Sequence, residues 1–320
     1  MKKRFDDERL ILRACDLYYN QELTQTAVCN ELGISRPTLS KLLNYAKKVG
    51  ILKISISSVH GRNHFEKEAL LEKKYGLREV IITESGCTME AQHALCGQAA
   101  ASYLDRVLQD GNVVGVGMGA VLTSCISQLK PQRALSGLSF VPLIGGLNSI
   151  SVAPEIHSNY LCEELAKKYG GTYYPLFAPA RVERVQTRNE LMQDASVKSI
   201  FDMAKTMDVA IVSIGAPTGR NTLVKDIYFS SPQFTVSFFQ ENNVCGDLCL
   251  LCYDKEGRTD IYDFNNNVIA ADITQFFKIP CVIGLASGTQ KKDAILGAIA
   301  GRFINVLITD IACAELLLKS

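Results

Sequence analysis

The sequence predicts a mixed α/β chain: a small N-terminal winged helix-turn-helix ahead of a large three-layer α/β/α domain. Three observations carry that expectation. A pair of capped helices separated by a glycine lies within the first sixty residues. From about Glu79 onward, short continuous apolar runs alternate with amphipathic stretches, the pattern of a mostly parallel sheet covered on both faces. Loops of small residues follow several of those runs, at the strand ends where such sheets bind their ligands.

The head begins with an amphipathic stretch, Phe5 to Tyr19, whose Leu10, Ala14, Leu17 and Tyr18 suit one buried face. Thr24 is a helix N-cap, Ala27, Val28 and Leu32 recur at helical spacing, and Gly33 is a stop free to take positive φ. Ser35 caps a second helix with Pro37 in its first turn, and Leu39, Leu42, Leu43 and Ala46 make its apolar face. The polar face of that helix carries Arg36, Thr38, Ser40, Lys41 and Asn44, types that donate to phosphates and base edges. An ordinary helical hairpin with a solvated outer face would show the same two helices. The helix before it, and an alternating strand at Ile51–Ser57 that suits a wing, favour the DNA-binding reading. Thr24, Gln25, Ser35, Arg36, Thr38, Ser40 and Lys41 are the expected DNA contacts.

Val59 to Asn63 is polar and contains a glycine, a hinge between a head of residues 1–58 and a body of 59–320. Helices are expected at Phe65–Tyr75, Met89–Gln109, Val121–Leu129, Pro154–Tyr169, in one or two pieces over Asn189–Thr206, at Lys291–Gly301 and at Ile311–Leu318. Strands are expected at Glu79–Thr83, Asn112–Val116, Leu138–Ile144, Gly171–Leu176, Val209–Ile214, Pro280–Leu285 and Val306–Thr309. Leu248–Tyr253 and Thr259–Phe264 read as an antiparallel pair around the Lys255-Glu256-Gly257 turn.

Composition narrows the class. The chain of 320 residues is 47% apolar and 21% charged, a globular balance. Residues 1–60 hold ten Lys/Arg against six Asp/Glu, while the remainder is slightly acidic. A basic head on such a body fits a phosphate-bearing partner. No apolar run reaches 18 residues and no secretory leader opens the chain, so a cytoplasmic protein without membrane contact is expected, its eleven cysteines reduced. Cys249-x-x-Cys252 lies in an apolar run without a second ligand pair, and the four histidines show no ligand spacing. Buried thiols rather than a metal site are expected, and no cofactor.

Four small-residue loops could carry chemistry. Gly115, Gly117 and Gly119 follow a strand, but Ala120 stands where a dinucleotide fingerprint needs its third glycine. Backbone N–H groups at the following helix still suit an anion; a tight packing turn is the alternative. Gly145-Gly146-Leu147-Asn148 and Gly215-Ala216-Pro217 are similar. In Ser287–Lys291 a lysine opens a helix, a position disfavoured by the dipole unless an anion sits there too. Asp247 could accept from a polyol hydroxyl or cap a turn.

The chain resembles the SorC family of bacterial sugar-responsive transcriptional regulators. The likeness runs from Leu23 to Leu43, then through Asn112–Val116, Pro142–Gly146, Tyr174–Pro179, Ala204–Gly215, Gly246-Asp247, Gly288–Ile295 and Ile304–Asp310. It implies a body similar to sugar-phosphate isomerase and deaminase folds but used as a sensor, a sugar or sugar-phosphate effector, operator DNA as partner, and a homodimer or homotetramer. Gly117, Met118, Gly119, Ala120, Gly145, Gly146, Asn148, Asp247 and Lys291 are the expected effector residues; Lys291 stands where the family places a ligand-contacting lysine. One loop departs. Family members carry Trp-Gly-Arg-Thr or Gly-Gly-Thr-Thr where this chain has Met118-Gly119-Ala120-Val121. Side-chain donors for a phosphate are missing there, which weakens the case for a phosphate more than for a sugar. The competing class is a sugar-phosphate isomerase or deaminase with an accessory DNA-binding head. It needs an acid/base pair, for which only Asp247 and Lys291 stand out; no catalytic residue is assigned.

Overall fold

A computed structural model of the protein describes residues 7–52, 64–147, 153–217 and 235–320. They divide into two compact units, Met1–Asn63 and His64–Ser320.

In the first unit α1 (Glu8–Cys15) runs into a π-helical turn at Asp16–Asn20, followed by α2 (Gln25–Leu32) and α3 (Arg36–Lys48). Asp16 accepts from the Asn20 and Gln21 amides, both at 2.9 Å, and those bonds hold its carboxyl below the ordinary range. Thr24 Oγ1 caps α2 by accepting from Ala27 N at 3.3 Å, and Gly33 ends it at φ +62°. Ser35 then caps α3 through Thr38 N at 3.4 Å. Ile11, Ala14, Val28, Leu39, Leu42 and Ala46 close the core. The buried face of α1 is centred on Ile11, Ala14 and Cys15; Leu10 and Tyr18 lie at its margin, only half-buried. Ile51 and Leu52 form a bend. The rest of the expected wing, and the expected hinge, lie outside the described residues.

The second unit opens with α4 (Phe65–Tyr75), then β1 (Glu79–Thr83), α5 (Met89–Val107), β2 (Val113–Val116), α6 (Ala120–Gln128), β3 (Ser139–Pro142), α7 (Ser158–Tyr169), β4 (Thr172–Tyr173), α8 (Val185–Gln193), α9 (Ala195–Ala204) and β5 (Val209–Ser213). It continues with α10 (Val236–Glu241), β6 (Gly246–Leu248), β7 (Leu251–Tyr253), β8 (Cys281–Leu285), α11 (Lys292–Ala300), β9 (Val306–Asp310) and α12 (Ile311–Lys319). Seven strands form one parallel sheet in the order β1-β9-β8-β5-β2-β3-β4.

Alternate strand residues feed two cores, which is why the strands read as continuous apolar runs. Val114, Val116, Val209, Ile211, Ile283 and Ile308 pack with α5, α6 and α7. Ala210, Val212, Val282 and Leu307 pack with α9, α11 and α12 on the other face. The three-layer α/β/α arrangement follows. At the β1 edge, Val80 N and Ile82 N donate to Glu72 Oε1 and Glu68 Oε1 of α4, at 2.9 and 2.8 Å. Burial raises the Glu68 carboxyl's pKa.

Several boundaries differ from the sequence reading. Pro154–Ile156 is a separate 3₁₀ turn before α7. The expected strand Gly171–Leu176 pairs only at Thr172–Tyr173, because the Asn159 side chain takes both the N–H and the C=O of Leu176, each at 2.9 Å. The largest correction is at 248–264. The antiparallel pair is β6 with β7, turning at Cys249-Leu250, where both residues have positive φ. Thr259–Phe264 is no strand; a 3₁₀ turn covers Asp263–Asn267. Asn265 takes the place of the missing strand, accepting from Cys252 N at 2.9 Å and donating to Cys252 O at 2.8 Å.

Candidate functional site

From β2 the chain runs outward through β3 and β4, then returns to place β5 on the other side of β2. Loops leaving two such strands part in opposite directions and open a crevice at their C-terminal ends. A cavity of about 690 Å³ lies there, the size of a small-molecule site.

Its first wall is Met118 to Val121, the entrance to α6. Gly119 takes φ +133°, and a Cβ on it would meet Ser213 Oγ at 2.8 Å. α6 has no side-chain cap, so backbone donors border the cavity at Ala120 and Val121. Ser213 to Ala216, leaving β5, form the second wall. Asp247, Cys249 and Leu250 of the β6–β7 hairpin form the third. Gly215 and Asp247 pair backbone to backbone, with Gly215 N donating to Asp247 O at 2.9 Å.

The fourth wall follows β8: Ala286, Ser287, Gln290 and Lys291. Lys291 Nζ donates to Ile214 O at 2.9 Å. Burial lowers the pKa of the ammonium, and the nearby Asp247 charge works against that. The fifth wall is Gly86 to Met89 with Gln92 and His93, at the start of α5. Burial, and then the Lys291 charge, lower the His93 pKa.

Asp247 is the most constrained group. It is 6% exposed, and burial pushes its carboxyl up to about 6 although Lys291 and the Leu250 N–H favour the charged form. Asp247 Oδ1 and Ser213 Oγ have no hydrogen-bond partner among the described residues. A buried acceptor left unpaired costs about 1–3 kcal/mol, a cost that a ligand hydroxyl reaching either atom would remove. With one ammonium and one carboxylate facing the space, the site suits a polar ligand rich in hydroxyls.

Of the residues named from the sequence, Met118, Gly119, Ala120, Asp247 and Lys291 line this one cavity. Gly117, Gly145 and Gly146 are not among its lining residues. Their N–H groups are spent on Ile211 O, Ile269 O and Ala178 O, and the backbone of Ala178 and Pro179 crosses where a Gly145 side chain would go. Asn148 lies outside the described residues. Ser213 and His93 went unnamed in the sequence. Ser213 could have been found from its place two residues before the small-residue loop at Gly215; His93 had no such signal.

In the first unit Thr24, Gln25, Ser35, Arg36, Ser40 and Lys41 are exposed and Thr38 is half-buried. Thr24 and Ser35 spend their hydroxyls on caps, and Ser35 Oγ lies 2.8 Å from Thr38 Oγ1. The Arg36 guanidinium donates to Thr26 Oγ1, tying the start of α3 to α2. All eleven cysteines are free, nine of them buried, Cys249 and Cys252 included. Among the described residues no cluster of His, Cys, Asp and Glu could hold a metal, and no helix is long and apolar enough to cross a membrane.

Residues 60–319 match the family model described as "Putative sugar-binding domain". The sorbitol operon regulator of Klebsiella pneumoniae is 33% identical over 316 residues, spanning 98% of this chain and 99% of that protein. The deoxyribonucleoside regulator of Bacillus subtilis is 26% identical, spanning 95% and 96%. Among solved structures, the full-length sorbitol operon regulator from K. pneumoniae superposes with a TM-score of 0.74 at 32% identity, over 98% of this chain and 99% of that one. The probable sor operon regulator from Shigella flexneri gives 0.72 at 29% identity, over 80% and 100%. With a sugar-binding family model over most of its length and operon regulators as full-length relatives, the chain belongs to the SorC family of sugar-binding transcriptional regulators.

Proposed function

We propose that this chain is a DNA-binding regulator of a carbohydrate operon whose operator affinity is set by a polyol or sugar held in the cavity at the β2/β5 crevice. The observation that carries the reading is the buried Asp247 Oδ1, unpartnered, in the same cavity as Lys291. In this reading Asp247 and Ser213 accept from ligand hydroxyls. Lys291 and the first N–H groups of α6 hold an electronegative end, a phosphate included.

The second helix of the helix-turn-helix, α3, enters the major groove, with Arg36, Thr38, Ser40 and Lys41 toward the DNA and Thr24, Gln25 and Ser35 at the phosphates. A head this small reads few bases, so two copies on a palindromic site are expected, in a dimer or tetramer working in the cytoplasm. The cavity holds Asp247, Lys291 and His93 as acid/base candidates, and support for regulation without turnover comes from full-length relatives that are operon regulators.

The test is a thermal-shift screen with D-sorbitol, D-sorbitol 6-phosphate and 2-deoxyribose 5-phosphate, followed by calorimetry on whichever raises the melting temperature. Lys291→Met should remove the shift and leave DNA binding intact. A full shift retained in that variant would move the effector to another site. Turnover of any of these compounds, lost in Asp247→Asn, would replace the sensor with an enzyme.

A further inference from the structure

Asp310 ends β9 and is completely buried. Its Oδ2 accepts from Gly288 N, in the loop that carries Lys291 into the cavity. Its Oδ1 accepts from Cys313 N at 3.2 Å, capping α12, and from Ser85 Oγ at 3.0 Å, in the loop that leaves β1. One carboxylate thus holds three segments that no other side chain joins in this way among the described residues.

Two of those segments fasten α4, the helix that opens the second unit. Beside Ser85, Glu84 Oε1 pairs with His64 Nε2 at 2.9 Å, and His64 is the residue just before α4. β1 itself bonds to Glu68 and Glu72 of α4. On the other side Lys67 pairs with Glu315 at 2.6 Å, and Tyr75 Oη donates to Leu317 O at 2.6 Å, both on α12. The segments gripping α4 therefore converge on the carboxylate that positions the Gly288 loop.

We propose that Asp310 is the positioning residue through which occupation of the cavity is transmitted to α4, and through α4 to the chain leading into the head. The proposal rests on the sugar-sensing reading above. A ligand drawing on Lys291 shifts the Gly288 loop; the shared carboxylate cannot follow without altering its bonds to Ser85 and to the start of α12. Coupling needs an element whose equilibrium both sites bias, and this three-way junction is such an element.

The experiment is amide hydrogen exchange on the full chain, comparing the unaltered protein with Ser85→Ala and Asp310→Asn. Ser85→Ala removes one donor to Asp310, together with the longer 3.4 Å bond that Ser85 Oγ accepts from Ala312 N, and leaves Gly288 N and Cys313 N in place. The expected result is a several-fold faster exchange in two separate peptides, 287–292 and 64–75, with β5 unchanged. Asp310→Asn, which offers one acceptor oxygen in place of two, should do the same more strongly; if it fails to fold, Ser85→Ala carries the test. A change confined to the neighbourhood of Ser85, or in only one of the two peptides, overturns the coupling. D-sorbitol 6-phosphate added to the unaltered chain should slow exchange in both peptides, and in Ser85→Ala only in 287–292. No ligand effect in the unaltered chain counts against the sugar-sensing reading alone, because the ligand-free comparison decides the coupling.

Discussion

The Asp247 carboxylate occupies the space a side chain on Gly215 would need: a Cβ placed on Gly215 would fall on Asp247 Oδ1. The two residues also pair through their backbones, so neither can retreat. Gly215→Ala should therefore drive the carboxylate into the cavity. The expected outcome is loss of effector binding by calorimetry, together with a stability loss of about 1–3 kcal/mol from overpacking. Undiminished binding would show that Asp247 is not part of the ligand's surroundings.

The same carboxylate sets a pH dependence. The unfolded chain releases this proton near the ordinary value of 3.8, the folded chain only near about 6. Between those values the folded state binds more protons, so this group lowers stability as pH rises from about 4 to about 6. Above that window the cost levels off at no more than about 3 kcal/mol. Asp247→Asn should flatten this limb in urea melts taken across the window. An unchanged limb would assign the titration to another group.

Arg36 starts α3 and is tied to Thr26 of α2. If it makes a two-pronged base contact on DNA, Arg36→Ala should weaken binding to a selected duplex by about 1–3 kcal/mol and relax preference at one base pair. A loss equal on all sequences, with a shallower salt dependence, would make it a phosphate contact instead.

Asn265 serves as a one-residue strand for Cys252, and its amide also donates to Thr259 O. Asn265→Leu keeps the volume but removes the two bonds that the side chain makes to the Cys252 backbone in a buried setting. The expected cost is about 2–4 kcal/mol in a denaturant melt, two buried backbone bonds lost at about 1–2 kcal/mol each. A loss below 1 kcal/mol, on the order of one exposed hydrogen bond, would mean that water reaches the hairpin.

The parallel sheet was legible because β8 and β9 are buried at every position, and burial on both faces leaves an uninterrupted apolar word in the sequence. The caps at Thr24 and Ser35 were legible because capping is local chemistry between residues three apart. The hairpin at Cys249-Leu250 was not. A tight turn with two positive φ angles normally announces itself with Asn or Gly, and here tertiary packing holds two apolar residues in that conformation. The cavity was half legible: small-residue loops marked its strand-end walls, while His93 faces it from a helix whose sequence carries no sign of that neighbour. Gly145 shows the converse. Its glycine answers to the crossing backbone at Ala178 and Pro179, a contact between distant segments that looks in the sequence like a ligand loop.

The carboxylates of Glu68 and Glu72 occupy the outward N–H groups of β1, the first strand of the sheet. An edge so occupied offers no free donors at Val80 and Ile82 for a strand from another molecule. Copies of this chain that join along that border would first have to break two carboxylate–amide bonds and displace a helix. Growth of the sheet from chain to chain is blocked there by the same helix that leads into the sensor.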